Sequence, residues 1–178
     1  MIRLRVVLWV LVALAAALFA LFALQLSRPK DDFVRSALIG KKVPVFALEP
    51  ATDGRPGLSS ADLADGRPKL LNVFASWCVP CAVEAPQLGA LERQGVEIVA
   101  VAIRDRPESV DGFLAAYGNP FSRIGADPIS EVQLALGSSG VPETFVVDGR
   151  GIIRHQHLGE IRDSDVPILL EKLREAGE

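Results

Sequence analysis

Both cysteines of the chain stand two residues apart, in the segment Trp77-Cys78-Val79-Pro80-Cys81. Two thiols at this spacing can exchange with a disulfide, because one thiolate attacks and the other resolves the mixed disulfide. A bond between them would close too short a loop to constrain the unfolded chain much. The pair therefore serves chemistry or metal binding rather than stability.

The residues on either side of the cysteines predict a strand followed by a helix. Residues 70–75 are a nearly continuous apolar run, and residues 82–91 have the 3.6-residue period of a helix. Backbone N–H groups at a helix start are unpaired, so they stabilise a thiolate there and lower its pKa. We therefore expect Cys78 to be the nucleophile and Cys81, one turn into the helix, to be the resolving thiol.

Two other uses of a Cys-x-x-Cys pair compete with the redox interpretation. In a zinc site the remaining ligands would be His155 and His157, which project to the same face of a predicted strand, but the chain has no second cysteine pair. A c-type haem attachment needs histidine after the second cysteine, where this chain has Ala82. The two histidines are more simply surface residues of an outer strand, and we predict no metal.

The rest of the domain predicts an α/β order built on a βαβ unit. The helix after Cys81 should kink or weaken at Pro86 and end near Gln94-Gly95. An Asp-Gly turn at 148–151 predicts a β-hairpin. The other predicted elements are strands at 43–48, 96–103, 145–147 and 152–157, and helices at 107–117, 129–136 and 163–176.

Two further residues could act on the dithiol. Pro142 follows small residues and precedes a strand, so it is either an ordinary strand-start proline or a cis-proline in a tight turn. Glu84 lies three residues after Cys81 on the same helix. It is either solvated or within reach of a thiol, whose proton it could then accept.

Composition bounds the remaining possibilities. The chain has 178 residues, of which 49% are hydrophobic, enough for one domain and an appendage. The formal net charge of -3, with both signs mixed along the chain, gives no basic surface for nucleic acid.

The N-terminal segment predicts a membrane anchor. No polar residue occurs from Val6 to Leu24, a length that crosses the hydrocarbon core as a helix. An uncleaved anchor is favoured over a cleaved signal, because no Ala-x-Ala-like site follows. The expected organisation is a cytoplasmic tail at 1–5, an anchor at 6–26, a linker at 27–42 and one domain at 43–178.

Three segments resemble one family: residues 71–81, residues 118–121 and residues 140–154. They are similar to the membrane-anchored thioredoxin-like proteins of cytochrome c maturation, DsbE/CcmG, and the likeness runs from about Val43 to the last helix. The resemblance implies an α/β thioredoxin-like fold, with a central mixed sheet flanked by helices, preceded by one transmembrane helix. It also implies a thiol:disulfide oxidoreductase of the bacterial inner membrane whose catalytic domain is periplasmic.

The family implies reduction of the haem-attachment cysteines of apocytochrome c. The partners would be apocytochrome c or another disulfide-bearing protein, and a membrane thiol-transfer protein as the reductant. No cofactor is needed, because the sulfurs of Cys78 and Cys81 carry the electrons. The alternatives are a general extracytoplasmic reductase with other clients and a non-catalytic module that binds apocytochrome. A thiol peroxidase ranks low, since it usually has Thr and Pro ahead of the reactive cysteine.

The resemblance also implies roles for residues around the dithiol. Pro142 would be a cis-proline packed against it, Val141 would offer backbone groups to a substrate strand, and Trp77 and Glu143 would complete the substrate-binding set. Thioredoxins carry a buried aspartate where this chain has Asn72. The family's replacement for proton handling would be Glu84. Two departures from the family pattern are His155, where an aromatic residue is expected, and the segment 103–105.

Overall fold

The computed structural model of the chain describes residues 2–26 and 37–178. The chain divides into two compact units, Met1–Phe33 and Val34–Glu178. Most of the predicted linker, residues 27–36, lies outside the described residues.

The first unit holds a single long helix, α1 (Ile2–Leu26). Its stretch Arg5–Phe22 has a mean hydropathy of 2.5 and none of it is buried within the protein. By length and composition alone, α1 could cross a membrane.

The second unit is built on a five-stranded sheet. Its strands are β1 (Ala47–Leu48), β2 (Leu58–Ser59), β3 (Lys69–Phe74), β4 (Ile98–Ile103), β5 (Arg123–Asp127), β6 (Glu143–Val147) and β7 (Ile153–Leu158). Its helices are α2 (Val79–Arg93), α3 (Pro107–Tyr117), α4 (Glu131–Ala135) and α5 (Val166–Ala176). Strands β1 and β2 form a separate antiparallel pair.

Strand β3, which leads into the cysteines, lies at the centre of the sheet order β5-β4-β3-β6-β7. It pairs in parallel with β4 and antiparallel with β6, and every residue of β3, β4 and β6 is buried. Continuous apolar strands of this kind are typical of a sheet covered on both faces. The predicted fold, a mixed central sheet flanked by helices with the dithiol on a βαβ unit, is confirmed.

Several local predictions differ from the structure. Strand β5 was not predicted, and the predicted strand at 43–48 shrinks to β1. Helix α2 continues through Pro86, with Ala85, Leu88 and Leu91 buried on both sides of the proline, and the predicted kink there stays a prediction. The predicted helix end is present: α2 stops at Arg93, and Gly95 follows at φ 85°, which glycine adopts without strain.

Candidate active site

Cys78 and Cys81 are joined by a disulfide at the start of α2, so the structure is that of the oxidised protein. Cys78 is the N-cap residue, and the backbone N–H of Cys81 donates a hydrogen bond to Sγ of Cys78 at 3.1 Å. Pro80, in the first turn, has no N–H to offer. The helix start therefore supplies a fixed backbone donor that would stabilise a thiolate on Cys78.

The surroundings of the disulfide are apolar and partly open. Cys78 is 5% exposed and Cys81 2%, which is the expected order but a small difference. The neighbours of Cys78 are far more exposed, Trp77 at 57% and Val79 at 75%. Two exposed apolar side chains therefore stand on either side of the nearly buried Cys78 in the sequence.

The Val141–Pro142 peptide bond is cis. Pro142 directly precedes β6, and Glu143 pairs with Val73 near the end of β3. The register therefore places the cis-proline beside the carboxyl-terminal end of β3, from which the chain continues to Trp77 and Cys78. Pro142 is buried and Val141 half-buried, and the carbonyl of Pro142 accepts a hydrogen bond from the N–H of Gly159.

The side chain of Glu143 is turned inward. It is 1% exposed, and its Oε2 accepts hydrogen bonds from the hydroxyl of Ser138 at 2.8 Å and from the N–H of Ser139 at 2.9 Å. Its Oε1 accepts from the amide of Gln156. In this oxidised structure the carboxylate holds the loop before the cis-proline together, and its predicted contact with substrate stays a prediction.

Glu84 is fully buried on the inner face of α2. Its Oε1 accepts a hydrogen bond from Nδ2 of Asn72, and its Oε2 accepts one from the N–H of Ile161, both at 2.9 Å. Burial raises the pKa of Glu84 to about 7, although both hydrogen bonds favour the ionised form. A carboxyl group with a pKa near neutrality can both take and release a proton at physiological pH.

Asn72 connects the helix of Glu84 to the strand of the cis-proline. Besides Glu84, its Nδ2 donates to Oγ1 of Thr144 at 2.9 Å, and Thr144 is the second residue after Pro142. Asn72 itself is fully buried. The residue that stands in for the thioredoxin aspartate thus fixes the orientation of the carboxyl group of Glu84.

Two residues that we did not predict as part of the site hold the segment before the cysteines. The carboxylate of Asp105 accepts hydrogen bonds from Ser76, and the carbonyl of Arg104 accepts one from Nε1 of Trp77 at 3.3 Å. Arg104 has φ 48°, an uncommon value for a residue other than glycine. The sequence held a signal for them, because the carboxyl ends of neighbouring parallel strands lie side by side. Both residues follow β4 directly, and Ser76 follows the paired strand β3.

The two histidines considered as zinc ligands lie on β7. Nε2 of His157 is 3.3 Å from the carbonyl oxygen of Glu160 and 3.9 Å from a carboxylate oxygen of Asp165. Within residues 2–26 and 37–178, no three His, Cys, Asp or Glu side chains are grouped so that they could hold a metal ion.

Comparison with known proteins gives a consistent result. The Redoxin family model matches residues 38–173. The chain is 43% identical over 152 residues to the thiol:disulfide interchange protein HelX of Rhodobacter capsulatus, covering 85% of each chain. It is 39% identical over 153 residues to the thiol:disulfide interchange protein DsbE of Escherichia coli K12, covering 85% of this chain and 82% of that one.

A solved structure is similar over the same region. It is a protein from Chlorobium tepidum assigned as a thiol:disulfide interchange protein DsbE, with a TM-score of 0.65 and 28% sequence identity. The match covers 79% of this chain and 98% of the other.

Proposed function

Because the chain belongs to the Redoxin family and, within it, to the DsbE/HelX thiol:disulfide interchange proteins, we propose that it reduces the haem-attachment cysteines of apocytochrome c. It is a thiol:disulfide oxidoreductase, which acts on disulfide-bearing substrates. Beyond this, we propose apocytochrome c as the client and electron flow from the protein to that client. They are supported by the likeness of residues 71–81 and 140–154 to the cytochrome c maturation proteins.

The observation that carries the chemistry is the hydrogen bond from the N–H of Cys81 to Sγ of Cys78. In the reduced protein the same donor and the helix start favour a thiolate on Cys78 over one on Cys81. The exposed Trp77 and Val79 frame the side from which a substrate disulfide would approach. Cys78 is therefore the nucleophile in our proposal.

The proposed reaction has two exchange steps. The Cys78 thiolate attacks one sulfur of the substrate disulfide, forming a mixed disulfide and releasing the other substrate sulfur as a thiolate. The Cys81 thiol then loses its proton and attacks Cys78, which releases the second substrate sulfur. The substrate gains two electrons and ends as a dithiol, while Cys78 and Cys81 end as the disulfide of this structure.

Glu84 is the proposed proton acceptor for Cys81. It lies one turn further along α2, it is buried, and its pKa near 7 lets it take the thiol proton as the resolving step begins. Trp77, Val141 and Pro142 are the proposed contacts for the substrate backbone. We propose that Glu143 serves the same surface indirectly, by holding the 138–143 loop through its buried carboxylate.

We further propose that α1 anchors the chain in the bacterial inner membrane with the catalytic domain on the periplasmic side. A hydrophobic helix of this length supports anchoring. A membrane thiol-transfer protein would then reduce the Cys78–Cys81 disulfide after each turnover. Cysteine accessibility to a membrane-impermeant reagent, measured on intact cells and on inverted vesicles, tests the orientation: labelling only in inverted vesicles contradicts it.

The client is tested with two cyclic peptides of equal length. One contains the oxidised Cys-x-x-Cys-His sequence of a haem-attachment site, and the control has alanine in place of the histidine and scrambled flanking residues. Faster reduction of the first peptide by the reduced protein supports the proposal, and Cys78→Ser must abolish it. Equal rates for both peptides favour a general reductase, and full activity of Cys78→Ser rules out the mechanism.

The direction of electron flow needs a separate measurement. The ratio of dithiol to disulfide in glutathione buffers of known composition gives the reduction potential of the Cys78–Cys81 couple. A potential more reducing than that of glutathione supports a reductase. An oxidising potential would make the protein a disulfide donor and would overturn the proposal.

A further inference from the structure

Two residues in the loops at the carboxyl ends of β4 and β5 have strained backbones. Arg104, which follows β4, has φ 48°, and Ser130, between β5 and α4, has φ 61°. In the part of the chain that the structure describes, 2–26 and 37–178, these are the two residues other than glycine with a positive φ. Such values cost energy for any residue with a Cβ, and they persist only where surrounding contacts hold them. Strained positions of this kind are concentrated at functional sites.

The two strained residues are held together. Nε of Arg104 donates a hydrogen bond to Oγ of Ser130 at 2.9 Å. Their backbone N–H groups donate to one acceptor, the carbonyl oxygen of Asp127, at 3.0 and 3.2 Å. Asp127 is the last residue of β5, and both it and Ser130 are buried, whereas Arg104 is exposed. The buried end of β5 therefore holds an exposed residue through its backbone and through its side chain.

The hydroxyl of Ser130 is not used to cap α4, although Ser130 occupies the N-cap position. A serine there ordinarily accepts a hydrogen bond from an N–H of the first turn. In this domain the carboxylate of Asp127 caps the helix instead, accepting the N–H of Glu131 at 2.8 Å and that of Gln133 at 2.9 Å. The hydroxyl of Ser130 thus serves Arg104 rather than the helix.

The carbonyl of Arg104 carries this restraint to Trp77. It accepts the hydrogen bond from Nε1 of Trp77 at 3.3 Å, and Nε1 is the single donor of an indole. Because Trp77 is 57% exposed, packing alone defines its orientation loosely. The N–H of Arg104 is fixed on Asp127, so a rotation of φ to the negative values usual for arginine would swing its carbonyl away from the indole.

We propose that Arg104 and Ser130 are positioning residues for Trp77. The hydroxyl of Ser130 holds Arg104 in its left-handed conformation, and the carbonyl of Arg104 then holds the indole in the orientation that meets the substrate chain. This inference rests on the proposed role of Trp77 as a substrate contact and not on the identity of the client. It concerns the binding of substrate, and the two exchange steps at Cys78 and Cys81 stay as described.

The bond between the two residues is tested by Ser130→Gly, because glycine adopts φ 61° without strain and only the side chain is lost. The matched control is Ser59→Gly, which removes a serine hydroxyl bonded to Asp62 on β2. The full oxidised chain in detergent micelles is used. The first readout is the ¹H–¹⁵N signal of the Trp77 indole, and the second tryptophan of the chain, Trp9 in α1, is the internal reference.

We expect Ser130→Gly to shift the indole signal of Trp77 and to speed its hydrogen exchange several-fold, because the acceptor is no longer held in place. The signal of Trp9 should not change, and Ser59→Gly should match the wild type at both tryptophans. An unchanged Trp77 signal in Ser130→Gly overturns the positioning. This measurement involves no substrate, so failure of the positioning and failure of the proposed function are separate results.

The second readout separates binding from chemistry. In single turnovers of the reduced protein with a peptide disulfide, Ser130→Gly should raise the half-saturating concentration several-fold and leave the maximal rate near the wild-type value. In a Trp77→Phe background, which lacks the indole donor, the same change should have no further effect. An equal rise with and without the indole would overturn the proposal. An indole shift without any rise would contradict Trp77 as a substrate contact and not its positioning.

Arg104→Gly separates positioning from a direct contact between the guanidinium and substrate. It keeps the carbonyl but lets φ leave the left-handed region freely. Positioning predicts the same indole shift as in Ser130→Gly, and a double variant no weaker in binding than either single one. A binding loss in Arg104→Gly alone would mean direct contact and would overturn the role of Ser130. Should Ser130→Gly not fold, Arg104→Gly decides, because an unchanged Trp77 signal there also overturns the positioning.

Discussion

The carboxylate of Asp105 holds Ser76 at two points: Oδ2 accepts the backbone N–H at 2.6 Å, and Oδ1 accepts the hydroxyl at 2.7 Å. Ser76 lies two residues before Cys78, while Asp105 comes from the loop after β4. The contact thus joins the ends of two parallel strands and fixes the chain as it enters the active-site turn. Without it, the backbone N–H of Ser76 would lose the acceptor that holds it from outside the turn.

Replacing Asp105 by alanine should therefore weaken both the fold and the reaction. The lost hydrogen bonds leave the N–H of Ser76 without its acceptor, which lowers the free energy of unfolding by about 1–3 kcal/mol. Attack on a peptide disulfide should slow as well, because Trp77 no longer holds its position beside Cys78. Urea unfolding of the oxidised protein and stopped-flow tryptophan fluorescence check the two effects. Glu108→Gln, a charge change on an exposed residue of α3, is the control, and an equal effect there would contradict this role.

The geometry of the candidate site could be predicted from sequence where the residues that signal it lie close together along the chain. The Cys-x-x-Cys spacing, the helix start and the position of Glu84 on the same helix are all read within the first two turns of α2. The clamp between Asp105 and Ser76 is different, because those residues are 29 apart in sequence and meet only through the pairing of β3 with β4. The hydrogen bond that Glu143 accepts from Gln156 likewise joins β6 to β7, which no local pattern indicates.

The secondary structure shows the same contrast between local sequence signals and tertiary contacts. Strand β4 was evident as a continuous apolar run, whereas β5 was missed because its five residues include Arg123, Gly125 and Asp127. Its strand geometry comes from pairing with β4 on one side and from hydrogen bonds with the 49–56 segment on the other. Pairing of this kind is a tertiary effect that outweighs intrinsic propensity. Helix α2 continues through Pro86 for a similar reason, since burial in the core outweighs the local cost of proline.

The buried Glu84 predicts a pH-dependent stability. Its pKa is raised from 4.5 in an exposed chain to about 7 in the folded protein, chiefly by burial. The folded state therefore binds the proton more tightly, so this contribution to stability is fully present below pH 4.5 and is lost as pH rises toward 7. The loss amounts to about 3 kcal/mol. Urea unfolding of the oxidised protein at several pH values between 4.5 and 8 measures it.

Glu84→Gln should remove that decline, because glutamine does not titrate. The difference between wild type and variant isolates Glu84 from the other groups that titrate in this range. Glu92→Gln, on the exposed side of the same helix, should keep the wild-type slope. If Glu84→Gln unfolds with the same pH dependence as the wild type, the raised pKa is wrong.

The contacts of Glu143 predict that it acts on substrate through the loop before the cis-proline. Glu143→Gln would turn an amide N–H₂ toward donors that now bind the carboxylate, and the free energy of unfolding should fall by about 1–3 kcal/mol. The KM for a peptide disulfide should rise. Ser138→Ala removes one of the same hydrogen bonds without touching the carboxylate, so it should raise KM in the same direction. A normal KM in Ser138→Ala, with a raised one in Glu143→Gln, would instead mean that Glu143 contacts substrate itself.

The backbone donor at the helix start predicts that the thiol of Cys78 is the more acidic of the pair. In the oxidised structure the N–H of Cys81 points at Sγ of Cys78, and the Cys81→Ser variant keeps that N–H while leaving a single thiol. The pH dependence of its alkylation by iodoacetamide should have a midpoint below the value of about 8.5 for an unperturbed cysteine. The same variant unfolded in urea should return to the unperturbed value, which serves as the internal control. A folded-state midpoint equal to or above the unfolded one would remove the physical basis for Cys78 as the attacking thiolate, because neither the helix start nor the N–H of residue 81 would then favour its ionised form.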